Sequence, residues 1–82
     1  MRKYKSKYTD AFREEQIKWF EERIDKLPES MRIDAATYSP NLPKTVLNLI
    51  QTLRNYEPSG IFAGYMETLL KIKDKLKAEG LK

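Results

Sequence analysis

The first eight residues carry the side chains best suited to binding a negatively charged partner. Lysines and an arginine alternate there with tyrosines at positions 4 and 8, and no acidic residue interrupts them. Cations attract phosphates, and tyrosine rings stack on nucleic-acid bases. The candidate contacts for an anion or a nucleic acid are Arg2, Lys3, Tyr4, Lys5 and Lys7. An acidic protein surface or anionic lipid would suit the same residues, and a solubilising, frayed terminus explains them without any ligand.

Residue types that perform catalysis are scarce. The chain has no histidine and no cysteine, which excludes an imidazole proton shuttle, a thiol nucleophile and Ser–His or Cys–His pairs. Glu21 and Asp25 share a helix face and could hold a hard cation, but such neighbours are routine on a solvated helix. The three glycines form no phosphate-binding loop. We therefore expect a protein that is not an enzyme and needs no metal or cofactor.

The positive charge of the chain is localised. The formal net charge is +4, and the four basic residues of the segment 1–8 account for all of it. From Asp10 to Glu29 there are seven acidic and four basic residues, whereas Lys71 to Lys82 has two acidic and five basic residues. These opposite biases predict that the first and last helices lie near each other, or near those of a partner.

Helix signals divide the chain into three segments. The first helix is predicted from Asp10 to Leu27, with Thr9 or Asp10 as its N-cap and Pro28 as its stop. The second is predicted from Leu42 to Asn55 behind an Asn41 cap, and the third from Ser59 or Gly60 to Glu79, with Gly80 as its C-terminal cap. At about 100° per residue each segment has one apolar stripe. Those stripes are Phe12, Ile17, Phe20, Ile24 and Leu27; Val46, Leu49, Ile50 and Leu53; and Phe62, Tyr65, Met66, Leu69, Ile72 and Leu76.

The segment 28–41 is predicted to be an ordered crossover rather than a strand. Met31, Ile33 and Ala35 alternate with polar residues, as in an extended segment that packs on one side, but a lone strand would lack a pairing partner. We expect Ile33 and Tyr38 to anchor it. The predicted fold is all-α: a small three-helix bundle with this long crossover between helices 1 and 2, comprising residues 9–82, and a flexible basic tail at residues 1–8.

A set of short motifs resembles a known family. The motifs are Leu27-Pro28, Ile33-Asp34, Thr37 and Asn41-Leu42-Pro43 at the start of a helix. Over roughly residues 14–76 they are similar to a small bacterial family that is an uncharacterised domain of unknown function. The resemblance implies a compact helical fold and supplies no catalytic residues. That family favours an acidic cap where this chain has Asn41, and it does not include the basic tail.

Small and apolar residues at the edges of the stripes predict a surface for a second chain. The candidate interface consists of Trp19, Ile61, Ala63 and Gly64, since small residues let another backbone approach closely. Tight packing between helices 2 and 3 is the alternative explanation, as scattered surface apolar residues are normal. A helix-turn-helix is disfavoured because the segment 60–65 is apolar where a recognition helix needs polar and basic residues.

Together these patterns favour a binding role. At 82 residues with 40% hydrophobic and 34% charged residues, the chain is expected to be one soluble, cytoplasmic domain without a transmembrane segment. We expect a non-enzymatic protein-interaction or self-associating module, whose partner is a protein or a second copy. The alternative is an accessory nucleic-acid-binding protein that uses the basic tail.

Overall fold

A computed structural model describes residues 8–55 and 63–81. Its elements in chain order are helix α1 (Asp10–Glu21), a 3-10 turn (Ile24–Lys26), strands β1 (Met31–Asp34) and β2 (Thr37–Ser39), and helices α2 (Leu42–Asn55) and α3 (Ala63–Ala78). Helix α3 packs against α1, α2 and β1 and is therefore the central element. Within the described ranges, every helix is too short or too polar to cross a bilayer.

Helix α1 begins as predicted but ends six residues early. The side-chain oxygen of Thr9 accepts the Phe12 backbone N–H at 3.0 Å, which makes Thr9 the N-cap. After Glu21 the backbone tightens into i→i+3 hydrogen bonds, including Lys26 N–H to the Arg23 carbonyl at 2.8 Å. The expected end at Leu27 is therefore wrong, because apolar spacing continues through a turn that is no longer α-helical. Leu27 is extended, as a residue before proline should be.

The segment predicted as an unpaired crossover contains a β-hairpin, so the all-α assignment is wrong. Strand β1 pairs antiparallel with β2, placing Met31 opposite Ser39 and Arg32 opposite Tyr38, with an irregularity between Arg32 and Asp34. The partner strand that seemed to be missing is supplied by the next few residues of the same segment. The fold is thus a mainly helical domain with a two-stranded antiparallel sheet.

A side-chain hydrogen bond closes the turn of the hairpin. The Asp34 carboxylate accepts the Ala36 backbone N–H at 2.9 Å, a local turn that aspartate favours. This hydrogen bond is the main reason that the pKa of Asp34 lies below its ordinary value, and the nearby Lys71 ammonium also lowers it. At the open end, the Leu42 N–H donates to the Glu29 carbonyl at 2.8 Å. The two contacts fix the hairpin between α1 and α2.

Helix α2 has the predicted bounds. The predicted N-cap of α2 and the predicted C-terminal cap of α3 are both confirmed. The Asn41 side chain accepts the Lys44 N–H at 3.2 Å. Gly80 has φ +97°, and the hydrogen bonds of Gly80 N–H to Lys77 and of Leu81 N–H to Leu76 form a Schellman motif. The predicted start of α3 at Ser59 or Gly60 lies outside the described residues.

One apolar core joins the three helices and β1. Its buried members are Ile17, Phe20, Leu27, Met31, Ile33, Leu42, Val46, Ile50, Leu53, Met66, Leu69, Ile72 and Leu76. Ile33 is an anchor as predicted, whereas Tyr38 is 53% exposed because the strand register turns it outward beside Arg32. Tyr65, expected in the α3 stripe, is 42% exposed in the first turn of that helix. Phe62 lies outside the described residues.

Candidate functional site

The structure describes only part of the predicted interface and none of the candidate anion contacts. Arg2, Lys3, Tyr4, Lys5, Lys7 and Ile61 lie outside the described residues. Ala63 begins α3, and Gly64 is exposed with nothing within 4 Å of where a Cβ would stand. Trp19 packs at the junction of α1 and α3. Gly64 is nine residues before Lys73, the α3 residue that contacts Trp19, so helical spacing puts them on opposite sides of α3. Trp19 and Gly64 thus do not share one patch.

Trp19 is the centre of a cluster that combines an aromatic ring with two cations. The Arg23 guanidinium lies 4.4 Å from the centroid of the Trp19 ring, and the Lys73 ammonium lies 5.2 Å from it. On the core side, the ring of Phe20 meets Trp19 edge-on at 5.0 Å between centroids. A cation within about 6 Å of an indole is attracted by the ring quadrupole. Both cations are therefore held against the same indole.

Hydrogen bonds fix the two cations in place. Arg23 donates from Nη1 to the Trp19 carbonyl at 3.0 Å. Lys73 donates from Nζ to Oε1 of Gln16 at 2.8 Å. Gln16 is only 4% exposed, and a buried amide oxygen needs a donor because leaving it unpaired costs about 1–3 kcal/mol. Gln16 is thus a buried hydrogen-bond acceptor that orients Lys73 of α3 over Trp19 of α1.

Two further aromatic residues extend this cluster toward the N-terminus. Tyr8 stacks on Phe12 with centroids 5.5 Å apart and an angle of 14° between the ring planes. Phe12 and Trp19 are seven residues apart, which returns to the same helix face after two turns. We define the Trp19 surface as Tyr8, Phe12, Trp19, Arg23 and Lys73, all of which are partly exposed. The basic segment 1–7 directly precedes this surface in the chain.

Charge pairing is uneven among the cations of the described chain. Arg54 binds Glu21 with two hydrogen bonds, at 2.8 and 3.1 Å, and Glu14 at 3.3 Å. Hydrogen bonding to Glu21 is the main reason that the pKa of Arg54 is raised above its ordinary value. Lys71 approaches Asp34 at 3.5 Å. Lys73, by contrast, has no carboxylate within 4 Å among the residues described.

The Arg54–Glu21 ion pair also bears on Glu21 and Asp25, which share a helix face and could in principle hold a cation. Because Glu21 is bound by Arg54, its carboxylate serves an interhelical ion pair between α1 and α2. Within residues 8–55 and 63–81, acidic side chains form no cluster of three with metal-ligand geometry. The arrangement that remains chemically distinctive is the Trp19 surface.

Sequence reasoning found Trp19 but missed the residues around it. The i,i+4 spacing of Trp19 and Arg23 was a readable signal for a cation over an indole. Gln16 and Lys73 carried no such signal, because a polar residue on a helix usually faces water and the two lie 57 positions apart. Only the packing of α1 against α3 brings them together.

A comparison with protein families identifies the domain. The family model described as Domain of unknown function (DUF6965) matches residues 14–78. The chain belongs to this family. The resemblance to an uncharacterised domain of unknown function, predicted from the Leu27-Pro28 and Asn41-Leu42-Pro43 motifs, is therefore confirmed. No curated protein and no solved structure matches the chain significantly.

The extent of the DUF6965 match divides the Trp19 surface. Trp19, Arg23 and Lys73, together with the acceptor Gln16 and the whole hairpin, lie inside the matched residues 14–78. Tyr8, Phe12 and the basic segment 1–7 precede the match. The cation–indole cluster is thus part of the family domain in this chain, and the stacked rings adjoin it.

Proposed function

We propose that this DUF6965 domain is a non-enzymatic protein-interaction module, acting in the cytoplasm, and that it binds its partner through the Trp19 surface. The observation that supports this most is the composition of that surface. It contains three partly exposed aromatic rings and two partly exposed cations: Tyr8 stacks on Phe12 at the start of α1, and Arg23 and Lys73 lie over Trp19. Tryptophan, tyrosine and arginine are the residues that dominate binding energy in protein interfaces.

The partial exposure of these residues suits an interface better than a core. A core aromatic is fully buried, as Phe20 is here. The rings of the Trp19 surface are packed against the core on one side and reach solvent on the other. Such rings need little ordering on binding and offer a large area to a partner. A second protein would complete their burial.

A capture experiment with paired variants tests this proposal. The full chain, its Trp19→Gln variant and its Tyr38→Gln variant are used to capture proteins from the native cytoplasm. Tyr38 is the matched control, because it is also an exposed ring with a cation over it, Arg32 at 5.6 Å, but lies on the hairpin. We expect a partner that Trp19→Gln loses and Tyr38→Gln keeps. Equal capture by both variants, with folding verified by circular dichroism, would contradict a role for this surface.

Self-association is a second form of the same proposal and has its own measurement. Light scattering at micromolar concentration gives the mass of the assembly, and Trp19 fluorescence on dilution reports whether the indole becomes exposed as it dissociates. A dimer that Trp19→Gln converts to a monomer would identify the partner as a second copy. A monomer at all concentrations, with a Trp19-dependent partner captured, would identify a different protein.

The second candidate function is accessory nucleic-acid binding through the basic segment. It is favoured by the stacking of Tyr8 on Phe12, which places two partly exposed aromatic rings shortly after four basic residues. Mobility shifts across a salt series, with the full chain and with residues 1–7 deleted, test it. Four phosphate contacts predict weak binding with a shallow salt dependence that is lost on deletion. No shift at low salt would exclude this function.

A further inference from the structure

We infer that the Trp19 surface recognises carboxylates, so that its partner presents an acidic peptide segment that lies across Trp19 between Arg23 and Lys73. This inference rests on the proposed protein-interaction function and names the chemistry of its partner. It follows from the geometry of the two cations, from the hydrogen bonds that hold them and from the lack, among the described residues, of a carboxylate paired with Lys73.

Two like charges are held near each other at this surface. The Arg23 and Lys73 groups lie 4.4 and 5.2 Å from one ring centroid, so they can be no farther apart than the sum of those distances. Like charges at that separation repel each other, and the repulsion is weakened when an anion binds near both. The attraction of each cation for the indole holds the pair together in the unbound protein.

The Lys73 ammonium keeps unused hydrogen-bond donors. Lysine has three N–H donors, and the bond to Gln16 at 2.8 Å uses one of them. The other contact of Lys73 is the Trp19 ring, and no acidic side chain of the described ranges pairs with it. Because the buried Gln16 amide fixes the ammonium, the remaining donors are oriented before a ligand arrives. Preorganised donors lose less entropy on binding a carboxylate than mobile ones.

The neighbouring acidic residue does not neutralise the cluster. Glu22 approaches Arg23 at 3.5 Å, and its side chain is 57% exposed. An exposed ion pair of this length contributes little and exchanges readily with another carboxylate. The shorter ion pairs between Arg54 and the α1 glutamates lie at the α1–α2 side. An external carboxylate therefore adds a partner at Lys73 and competes with Glu22 at Arg23.

A purely structural role predicts different behaviour. If Arg23 and Lys73 only cover the Trp19 ring, uncharged side chains of similar length would serve equally, and acidic ligands would bind no better here than at any other lysine. The probe for this distinction is a synthetic peptide of glutamates, with the corresponding glutamine peptide as its uncharged control. Trp19, the only tryptophan of the chain, reports binding directly through its fluorescence.

Three single-site variants of the full chain make the titration specific. Lys73→Gln removes the ammonium, Lys73→Arg keeps a cation there, and Lys75→Gln removes one charge from an exposed position of the same helix. We expect the glutamate peptide to bind the wild type, and Lys73→Gln to bind it about fivefold more weakly, as expected for a partly exposed ion pair. Lys73→Arg should restore binding, and Lys75→Gln should change it less than twofold.

Several results would overturn the inference. One is an equal loss of affinity in Lys73→Gln and Lys75→Gln, which indicates a general charge effect. Others are equal binding of the glutamine peptide, no binding at low salt, and displacement of the glutamate peptide by a single-stranded oligonucleotide at much lower concentration. If the capture experiment finds a Trp19-dependent partner while the glutamate peptide fails, the proposed function stands and only the acidic chemistry is lost.

Discussion

The same substitution at two glycines is expected to change stability in opposite directions. Gly80 has φ +97° and closes the Schellman motif of α3, whereas Gly64 lies in the first turn of α3 without a positive φ. At both positions a Cβ would meet nothing within 4 Å. A new Cβ would therefore clash at neither position. The backbone conformation alone decides whether alanine raises or lowers the free energy of unfolding.

The magnitudes follow from the conformational preferences of alanine. Gly80→Ala forces an L-residue into the left-handed region, which costs about 1–2 kcal/mol. Gly64→Ala removes backbone freedom from the unfolded chain at a position that alanine adopts readily, which stabilises by about 0.5 kcal/mol. For a domain of this size, 1 kcal/mol corresponds to about 4–8 °C in Tm. We expect Gly80→Ala to lower Tm by about 4–8 °C or more and Gly64→Ala to raise it by about 2–4 °C.

Urea unfolding followed by circular dichroism and by Trp19 fluorescence measures both changes. Coincident transitions from the two probes show that a single free energy of unfolding is defined. Because Leu81 packs on the core just after Gly80, a loss well above 2 kcal/mol would mean that the whole C-terminal cap detaches. Stabilisation by Gly80→Ala, or equal effects at both glycines, would refute the left-handed cap.

Three further changes test other contacts of the fold. Arg54→Gln removes the bridge to Glu21 and should lower the free energy of unfolding by about 0.5–1 kcal/mol, since the Arg54 side chain is 42% exposed; the effect should shrink in high salt, and a salt-independent loss would count against an ion pair. The lowered pKa of Asp34 means that its carboxylate stabilises the fold above its ordinary pKa and loses this effect as pH falls through the folded value. Asp34→Asn should therefore flatten the acid limb of the stability–pH profile, and an unchanged limb would contradict this. Phe20→Ala, at a fully buried ring, should cost about 3–5 kcal/mol of the roughly 4–12 kcal/mol available to a domain of this length, so a thermal transition close to that of the wild type would contradict its place in the core.

The helices were predictable because their signals are local. Asn41 before an apolar repeat located the start of α2, and Gly80 after the last repeat located the end of α3. These signals involve backbone groups within one turn, so they can be read from the local sequence without knowledge of distant contacts. The early end of α1 escaped prediction because Ile24 and Leu27 keep helical spacing while the backbone follows a 3-10 turn.

The hairpin escaped prediction because its turn lacks the usual residues. Asp34-Ala35-Ala36-Thr37 contains no glycine or asparagine, which are the strongest short-range hairpin signals. The turn depends instead on the Asp34 carboxylate accepting the Ala36 N–H. A strand of four residues opposite one of three also gives too short an alternation to distinguish a paired strand from an extended crossover.

Only part of the candidate site could be predicted from the sequence. Trp19 could be identified as a large ring at the edge of the α1 stripe. Its i,i+4 spacing to Arg23 also indicated a cation over the indole. Lys73 looked like one of several lysines near the C-terminus of a helix, where the dipole favours cations. Its distinction comes from the buried Gln16 that binds it, and burial of a glutamine is set by the packing of two helices rather than by local sequence.

The most direct test of the account is a map of where the glutamate peptide binds. Amide and side-chain NMR signals of the full chain are assigned and followed while the peptide is added. We predict that the largest shifts occur at the Trp19 indole N–H, the Gln16 side-chain amide and the signals of Arg23 and Lys73. Shifts confined to residues 1–7 or to Lys75 and Lys77, with the Trp19 indole unchanged, would contradict the assignment of the Trp19 surface as the binding site.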